Sequence, residues 1–186
     1  MEQVSSQVNA KSTVLCLAAL LALWVSGCSR QPSPDELLQS AGQKVEKGDL
    51  NGALADINKA LEVGGPNPNA YFNRAIVHRQ MGDYLTAEAD LTSVLLLKPK
   101  DVEARLYRAR LRYELGNYDG AIQDNSDVLK INPGSEDAHY GRATAAYQAG
   151  RFSDAIKDFE WVTQNGKNQE MIKESQRLID LAKKDK

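Results

Sequence analysis

Cysteine is scarce in this chain. Two residues, Cys16 and Cys28, stand among 186, so a disulfide framework is excluded. Histidine is equally rare, with His78 and His139 alone. Neither has a cysteine nearby, and each is better read as structural than as a metal ligand. Charge of one sign is also missing: the formal net charge is −2. A nucleic-acid binder would carry a basic stripe, and an acidic disordered tail would carry a large negative excess. No phosphate-cradling G-x-x-x-x-G-K-[ST], dinucleotide G-x-G-x-x-G, zinc H-E-x-x-H or nucleophile-elbow G-x-S-x-G occurs. The Asp49-Leu50-Asn51-Gly52 stretch has its glycine too early for a calcium loop. These absences leave no expected cofactor, metal or catalytic residue. What is present, 42% hydrophobic and 26% charged residues, suits one ordinary domain.

Long apolar runs are absent too. The longest, Val14 to Val25, has twelve residues and follows Lys11. A membrane span needs about 20 apolar residues, whereas this length suits the apolar core of a secretory signal. The run ends in Val25-Ser26-Gly27-Cys28, which resembles a bacterial lipobox: a branched apolar residue, two small residues, then cysteine. The resemblance implies a signal peptide over 1–27, diacylglyceryl attachment to Cys28, and a lipidated linker over 28–33. Cys16 would leave with the leader. Ser29 stands where aspartate favours inner-membrane retention in enterobacterial lipoproteins, so the expected location is the outer membrane, facing the periplasm. Glu2 departs from a purely basic leader. Residues Ser29 to Ser33 reach at most about 20 Å at ~3.6 Å each, which would keep the folded part near the bilayer. The alternative is an uncleaved, non-lipidated anchor.

The remainder repeats. Gly48, Gly82, Gly116 and Gly150 fall 34 residues apart without an insertion. Ala41, Ala75, Ala109 and Ala143 keep that step, as do Ala53, Ala87, Ala121 and Ala155. Leu50, Tyr84, Tyr118 and Phe152 follow each glycine by two, and Pro99 and Pro133 punctuate the later blocks. A fixed period of this length signals stacked structural units.

This pattern resembles the tetratricopeptide repeat. The resemblance implies an all-α, right-handed superhelical solenoid of four helix-turn-helix repeats, over 34–67, 68–101, 102–135 and 136–167. First helices are expected near 34–46, 68–80, 102–114 and 136–148. Second helices are expected near 50–62, 84–96, 118–130 and 152–164. The glycines would supply left-handed turn residues, the alanines close helix approach, and the following aromatic a filler between hairpins. Ser33-Pro34-Asp35-Glu36 reads as a capping box with proline at the first helical position. Some positions depart from the family. Asn125 stands where the other blocks have Ile57, Leu91 and Phe159, and Gly65 and Lys167 replace proline. Residues 168–186 form the expected C-terminal capping helix and tail, with Met171, Ile172, Leu178, Ile179 and Ala182 on one face. Trp161 is expected to pack near that cap.

Two charged series recur in step: Arg74, Arg108 and Arg142 in first helices, and Asp56, Asp90, Asp124 and Asp158 in second helices. Their joint repetition favours a structural ladder over an anion-binding row. Because block one has Ser40 in place of arginine, the expected pairs are Asp56–Arg74, Asp90–Arg108 and Asp124–Arg142.

In the family, first helices line the inner face. Carried over by spacing, the groove comprises Leu38, Phe72, Leu106 and Tyr140, with Ile76 and Arg110 a turn later, then Val45, Arg79, Tyr113 and Tyr147. Acids at Asp35, Glu46, Glu103 and Asp137 flank it. Such a surface suits an extended or helical peptide with apolar anchors. Some relatives grip a C-terminal carboxylate with a Lys/Asn/Arg clamp; the corresponding positions here are Leu38, Gly42, Glu103 and Tyr107, and only Asn73 matches. The expected function is therefore that of a lipid-anchored interaction adaptor of the bacterial envelope. It would have a protein or peptide partner, the membrane through Cys28, and no nucleic acid. An enzyme with an unrecognised site on the same frame is the alternative.

Overall fold

The computed structural model describes residues 31–184. The signal-peptide region and Cys28 lie outside the described residues. Among the described residues the regular structure is entirely helical: α1 Pro34–Glu46, α2 Leu50–Gly64, α3 Pro68–Gln80, α4 Tyr84–Leu97, α5 Val102–Glu114, α6 Tyr118–Ile131, α7 Glu136–Gln148, α8 Phe152–Asn165 and α9 Gln169–Lys184. The second helix of each hairpin runs one or two residues past its expected end, because the inter-repeat loops are shorter than the sequence pattern suggests.

The turns inside the hairpins explain the glycine beat. At Gly48 the backbone has φ 77°, at Gly116 76°. After α1, the Gly48 N–H donates to the Val45 carbonyl at 3.0 Å and the Asp49 N–H to the Lys44 carbonyl at 2.9 Å. This two-bond closure satisfies carbonyls that the helix end leaves open, and it needs a left-handed residue at its centre. Asp49 then caps α2, its carboxylate accepting from the Gly52 N–H at 2.9 Å. One residue thus closes one helix and opens the next. Asp83 and Asn117 repeat the device, while Arg151 makes no side-chain cap to α8. At the start of α1, Ser33 and Glu36 form the reciprocal capping box.

All eight alanines of the two series are at most 2% exposed, so side-chain bulk cannot hold the paired helices apart. Core clusters span neighbouring hairpins. Ala41, Ala53 and Ile57 of the first hairpin join Ala70 and Val77 of α3. Ala75, Ala87 and Leu91 of the second join Ala104 and Leu111 of α5. Each hairpin therefore hides its apolar side against the next, as a stacked repeat must. The aromatic after the turn meets a ring of its own hairpin where the first helix supplies one. Tyr118 meets Tyr113 at 5.6 Å and Phe152 meets Tyr147 at 5.4 Å, both within one hairpin. Tyr84 has no such neighbour in α3, where Arg79 occupies the place of Tyr113, and it is 37% exposed.

α9 closes the stack. Ile179 is buried with Phe159, Ala143 and Ala155, and Leu178 packs alongside. Trp161 stacks on His139 of α7, with ring centroids 3.8 Å apart. Among the described residues no helix is long and apolar enough to cross a membrane.

Candidate functional site

First helices of successive repeats touch lightly, and between α5 and α7 they leave a groove of about 720 Å³. The α5 wall carries Leu106, Tyr107, Ala109, Arg110 and Tyr113; the α7 wall carries Tyr140, Gly141 and Thr144. Met171 of α9 closes one side and Asn125 of α6 lies at the base. Glu103 and Asp137 stand at the second positions of α5 and α7, where helix dipoles favour carboxylates. Neither makes an ion pair or side-chain hydrogen bond among the described residues, and Arg110 is equally free.

The rest of the groove is already engaged. Arg79 Nη2 donates to Glu114 at 3.0 Å, and its guanidinium lies 5.8 Å from the Tyr107 ring centroid. The Glu114 hydrogen bond raises the Arg79 pKa against the opposing effect of burial, with Tyr107 adding to it. Phe72 packs behind Tyr107 at 5.7 Å. Burial pushes the Tyr140 phenol above the usual tyrosine range, helped by Glu174 and Tyr113 and opposed by Arg177. It remains a neutral donor near neutral pH.

Of the groove residues named from sequence, Leu106, Arg110, Tyr113 and Tyr140 come together here. The others are not part of this cavity's lining. Leu38 packs on the Ala41–Ile57 core, Phe72 on the Leu91–Leu111 core, and Tyr147 on the Phe159 core. Ile76 is half-buried outside the groove, and Arg79 borders it through Glu114. Sequence reasoning missed Asn125, Gly141, Thr144 and Met171 as groove residues. Asn125 had a signal, being the polar member of an otherwise apolar series.

The charged ladder is wired differently from the sequence expectation. Each arginine pairs with the aspartate sixteen residues later, inside its own hairpin. Arg74 Nη2 meets Asp90 Oδ1 at 2.6 Å, Arg108 Nη2 meets Asp124 Oδ1 at 2.7 Å, and Arg142 Nε meets Asp158 Oδ2 at 2.6 Å. The pairs Asp56–Arg74, Asp90–Arg108 and Asp124–Arg142 are not formed. Each arginine instead sends its third nitrogen to a neutral acceptor on the preceding hairpin: Asn58 at 2.8 Å, Thr92 at 3.1 Å, Ser126 at 3.3 Å. Asp56 is not orphaned, because Ser40 and Lys44 both reach it at 2.6 Å. Hydrogen bonding by Asp90 and Asp158 raises the Arg74 and Arg142 pKa values despite burial. His139, read as structural, sits between Asp158 at 2.8 Å and the Pro133 carbonyl at 3.1 Å. Asp124, 1% exposed, also receives Arg112 at 2.9 Å. These groups are turned inward on one another and hold the repeats in register.

Comparison with known proteins agrees with this geometry. A family model described as tetratricopeptide repeat matches residues 72–136 and 128–168, more than half of the chain. No curated protein sequence matches it. A tetratricopeptide repeat protein from Parabacteroides merdae has a similar solved structure, with TM-score 0.74 and 22% identity, covering 90% of this chain and 68% of its own. Residues 41 to the end of MamA from Desulfovibrio magneticus give TM-score 0.71 at 15% identity, covering 82% of this chain and 90% of that one. The first TPR of Spaghetti (RPAP3), solved bound to the HSP90 peptide SRMEEVD, gives 0.58 at 20% identity, covering 62% of this chain and 91% of its own. The structural likenesses establish a shared fold. The 34-residue period, the stacked hairpins and the family match lead to one conclusion: this chain belongs to the tetratricopeptide repeat family, whose fold is typically a non-enzymatic scaffold for protein–protein interaction.

Proposed function

We propose that this protein is a lipid-anchored adaptor of the bacterial envelope that seats a partner polypeptide in the groove between α5 and α7. The observation that carries the reading is that groove: an aromatic and apolar trough, about 720 Å³ in volume, with unpaired charges at its margins. The lipobox-like Val25-Ser26-Gly27-Cys28 supports the anchor, and Ser29 supports the outer membrane, with the folded repeats on the periplasmic side. The same fold holds an HSP90 peptide in the Spaghetti domain. The carboxylate-clamp positions here hold Glu103 and Tyr107, so recognition by that clamp is not proposed.

Magnitudes set the expected affinity. A buried apolar anchor contributes about 1.5–3 kcal/mol, while association costs about 4–15 kcal/mol. Three or four anchors give modest binding. Holding both partners at one membrane raises their effective concentration without any new contact, which makes the lipid and the groove parts of one function.

A photo-crosslinker at Leu106 or Tyr113 tests the groove in the full-length, membrane-bound protein. The expected result is a discrete cross-linked protein, lost with Tyr140→Asp while circular dichroism shows the helices intact. Cross-linking that is unchanged by Tyr140→Asp would overturn the groove. Cys28→Ala is expected to release the protein from membranes; retention of that variant would overturn the lipid anchor.

A further inference from the structure

The second helix of the second repeat is apolar on two sides. Ala87, Leu91, Val94 and Leu95 of α4 are buried in the core. Leu85 and Leu96, on the outer side, are 70% and 77% exposed, more than any other large apolar side chain among the described residues. At 3.6 residues per turn, positions 85, 89, 92 and 96 fall within about 60° of one another. Leu85, Ala89, Thr92 and Leu96 therefore make one stripe along the outside of α4. The other repeats are polar in that register: the two leucine positions hold Asn51 and Glu62 in α2, Asp119 and Lys130 in α6, and Ser153 and Gln164 in α8. A helix that is apolar all round belongs inside a protein, and this one has a face outside.

The stripe is symmetric. Its spacing reads four, three, four residues, with a large side chain at each end and a small one at each inner position. A two-fold axis through its midpoint, between Asp90 and Leu91, lays Leu85 on Leu96 of a second copy and Ala89 on Thr92. A symmetric dimer requires contact of this kind, in which residue i meets j and j meets i. The small inner residues leave room for two antiparallel helices to pack at about 8–10 Å. The flanking charges agree. The same two-fold sets Asp119 of α6 against Lys130 of the second copy, and Asn51 of α2 against Glu62, so no like charges are opposed there. Glu88, at the margin of the stripe, is already neutralised by Arg112 at 2.7 Å. A membrane surface is a poorer occupant, because an interfacial helix carries lysine or arginine beside its apolar face and α4 has neither. An unrelated protein gives the symmetric spacing no role.

We infer that α4 is the contact helix of a homodimer, antiparallel to its counterpart, with Leu85 of each copy on Leu96 of the other. The patch is one helix wide, which places the interface at the small, reversible end of the size range, below about 1,200 Å². Copies held at one membrane gain effective concentration. The dimer depends on neither the lipid nor the groove, and α4 contributes nothing to the lining between α5 and α7.

Sedimentation equilibrium of the full chain in detergent, from about 10 µM to about 1 mM, tests the dimer with Leu85→Asp and Leu96→Lys made singly and together. Wild type is expected to show reversible monomer–dimer exchange. Each single change is expected to weaken association at least about tenfold, because a charge is then buried against an unchanged leucine. The double change is expected to restore it to within about threefold of wild type, since each new acid faces the new lysine of the other copy. The two positions lie about 16 Å apart along one helix, too far for rescue within a chain. Both are exposed, and circular dichroism checks that the helices are kept. A wild type that stays monomeric at about 1 mM, single changes without effect, or a double variant no stronger than the singles would overturn the α4 dimer.

Discussion

Arg74 and Asp90 meet edge to edge across a single hairpin, Nε to Oδ2 at 2.9 Å and Nη2 to Oδ1 at 2.6 Å. Both charges are largely withdrawn from water. The remaining nitrogen, Nη1, reaches back to Asn58 of the preceding hairpin at 2.8 Å. The arginine therefore ties three helices, with its charge neutralised inside one repeat and a neutral bond to the next. Asp90→Ala leaves a guanidinium without its counter-charge and is expected to cost about 3–5 kcal/mol. A double-mutant cycle measured by urea unfolding is expected to show strong coupling for Arg74 with Asp90, and under about 0.5 kcal/mol for Arg74 with Asp56. The reverse ranking would mean that the ladder runs between hairpins.

That distinction marks how far sequence could reach. Period, helix identity and the positions of Gly48, Gly82, Gly116 and Gly150 follow from local chemistry, because a tight helix–helix turn makes the same backbone demand each time. The ladder's wiring does not. Sequence shows that arginine and aspartate recur together, but whether an arginine leans forward or backward depends on helix rotation. It also concealed that Lys44 and Ser40 would serve Asp56. The groove was legible in part. Leu106, Arg110, Tyr113 and Tyr140 share it, whereas Leu38 and Phe72 hold equivalent register, half-buried against the cores of the first two hairpins. Asn125 looked like a flaw in the third repeat, because its partner in shape, Gly141, lies on another helix.

Glycine at one position is required and at another is dispensable. Gly116 has φ 76°, a region in which a side chain costs about 1–2 kcal/mol. Gly42 lies exposed inside α1, and a Cβ there meets nothing within 4 Å. Gly116→Ala is expected to lower stability by about 1–2 kcal/mol, and Gly42→Ala to raise it by about 0.8–1 kcal/mol. Thermal and urea denaturation of the two variants side by side checks both signs.

Burial alone would raise the Asp56 carboxyl, but hydrogen bonds from Lys44 and Ser40, with the Lys44 and Lys59 charges, outweigh it and hold the pKa below the ordinary carboxylate value. A depressed folded-state pKa contributes stability that is present above the unfolded value, about 3.9, and is lost as pH falls through the folded value. Asp56→Asn is therefore expected to destabilise the protein at pH 7 by about 1–2 kcal/mol. The difference from wild type should shrink below about pH 4. A difference that is constant from pH 7 to pH 3 would show that packing, not charge, carries the effect.

The last helix offers the sharpest test of the stacked architecture. Ile179 is buried in one cluster with Phe159, Ala143 and Ala155 of the fourth hairpin, and Leu178 packs against it. Ending the chain after Lys167 uncovers that face, and restoring water to two aliphatic side chains costs about 3–6 kcal/mol. Because each hairpin leans on its neighbour, the loss should be graded. Hydrogen exchange is expected to quicken most in α8 and α7, less in α5 and α6, and least in α1 and α2. Met171 leaves with the same helix, so the groove between α5 and α7 loses one wall and peptide binding should weaken in parallel. Uniform acceleration across all helices would instead mean that the repeats unfold as one indivisible core.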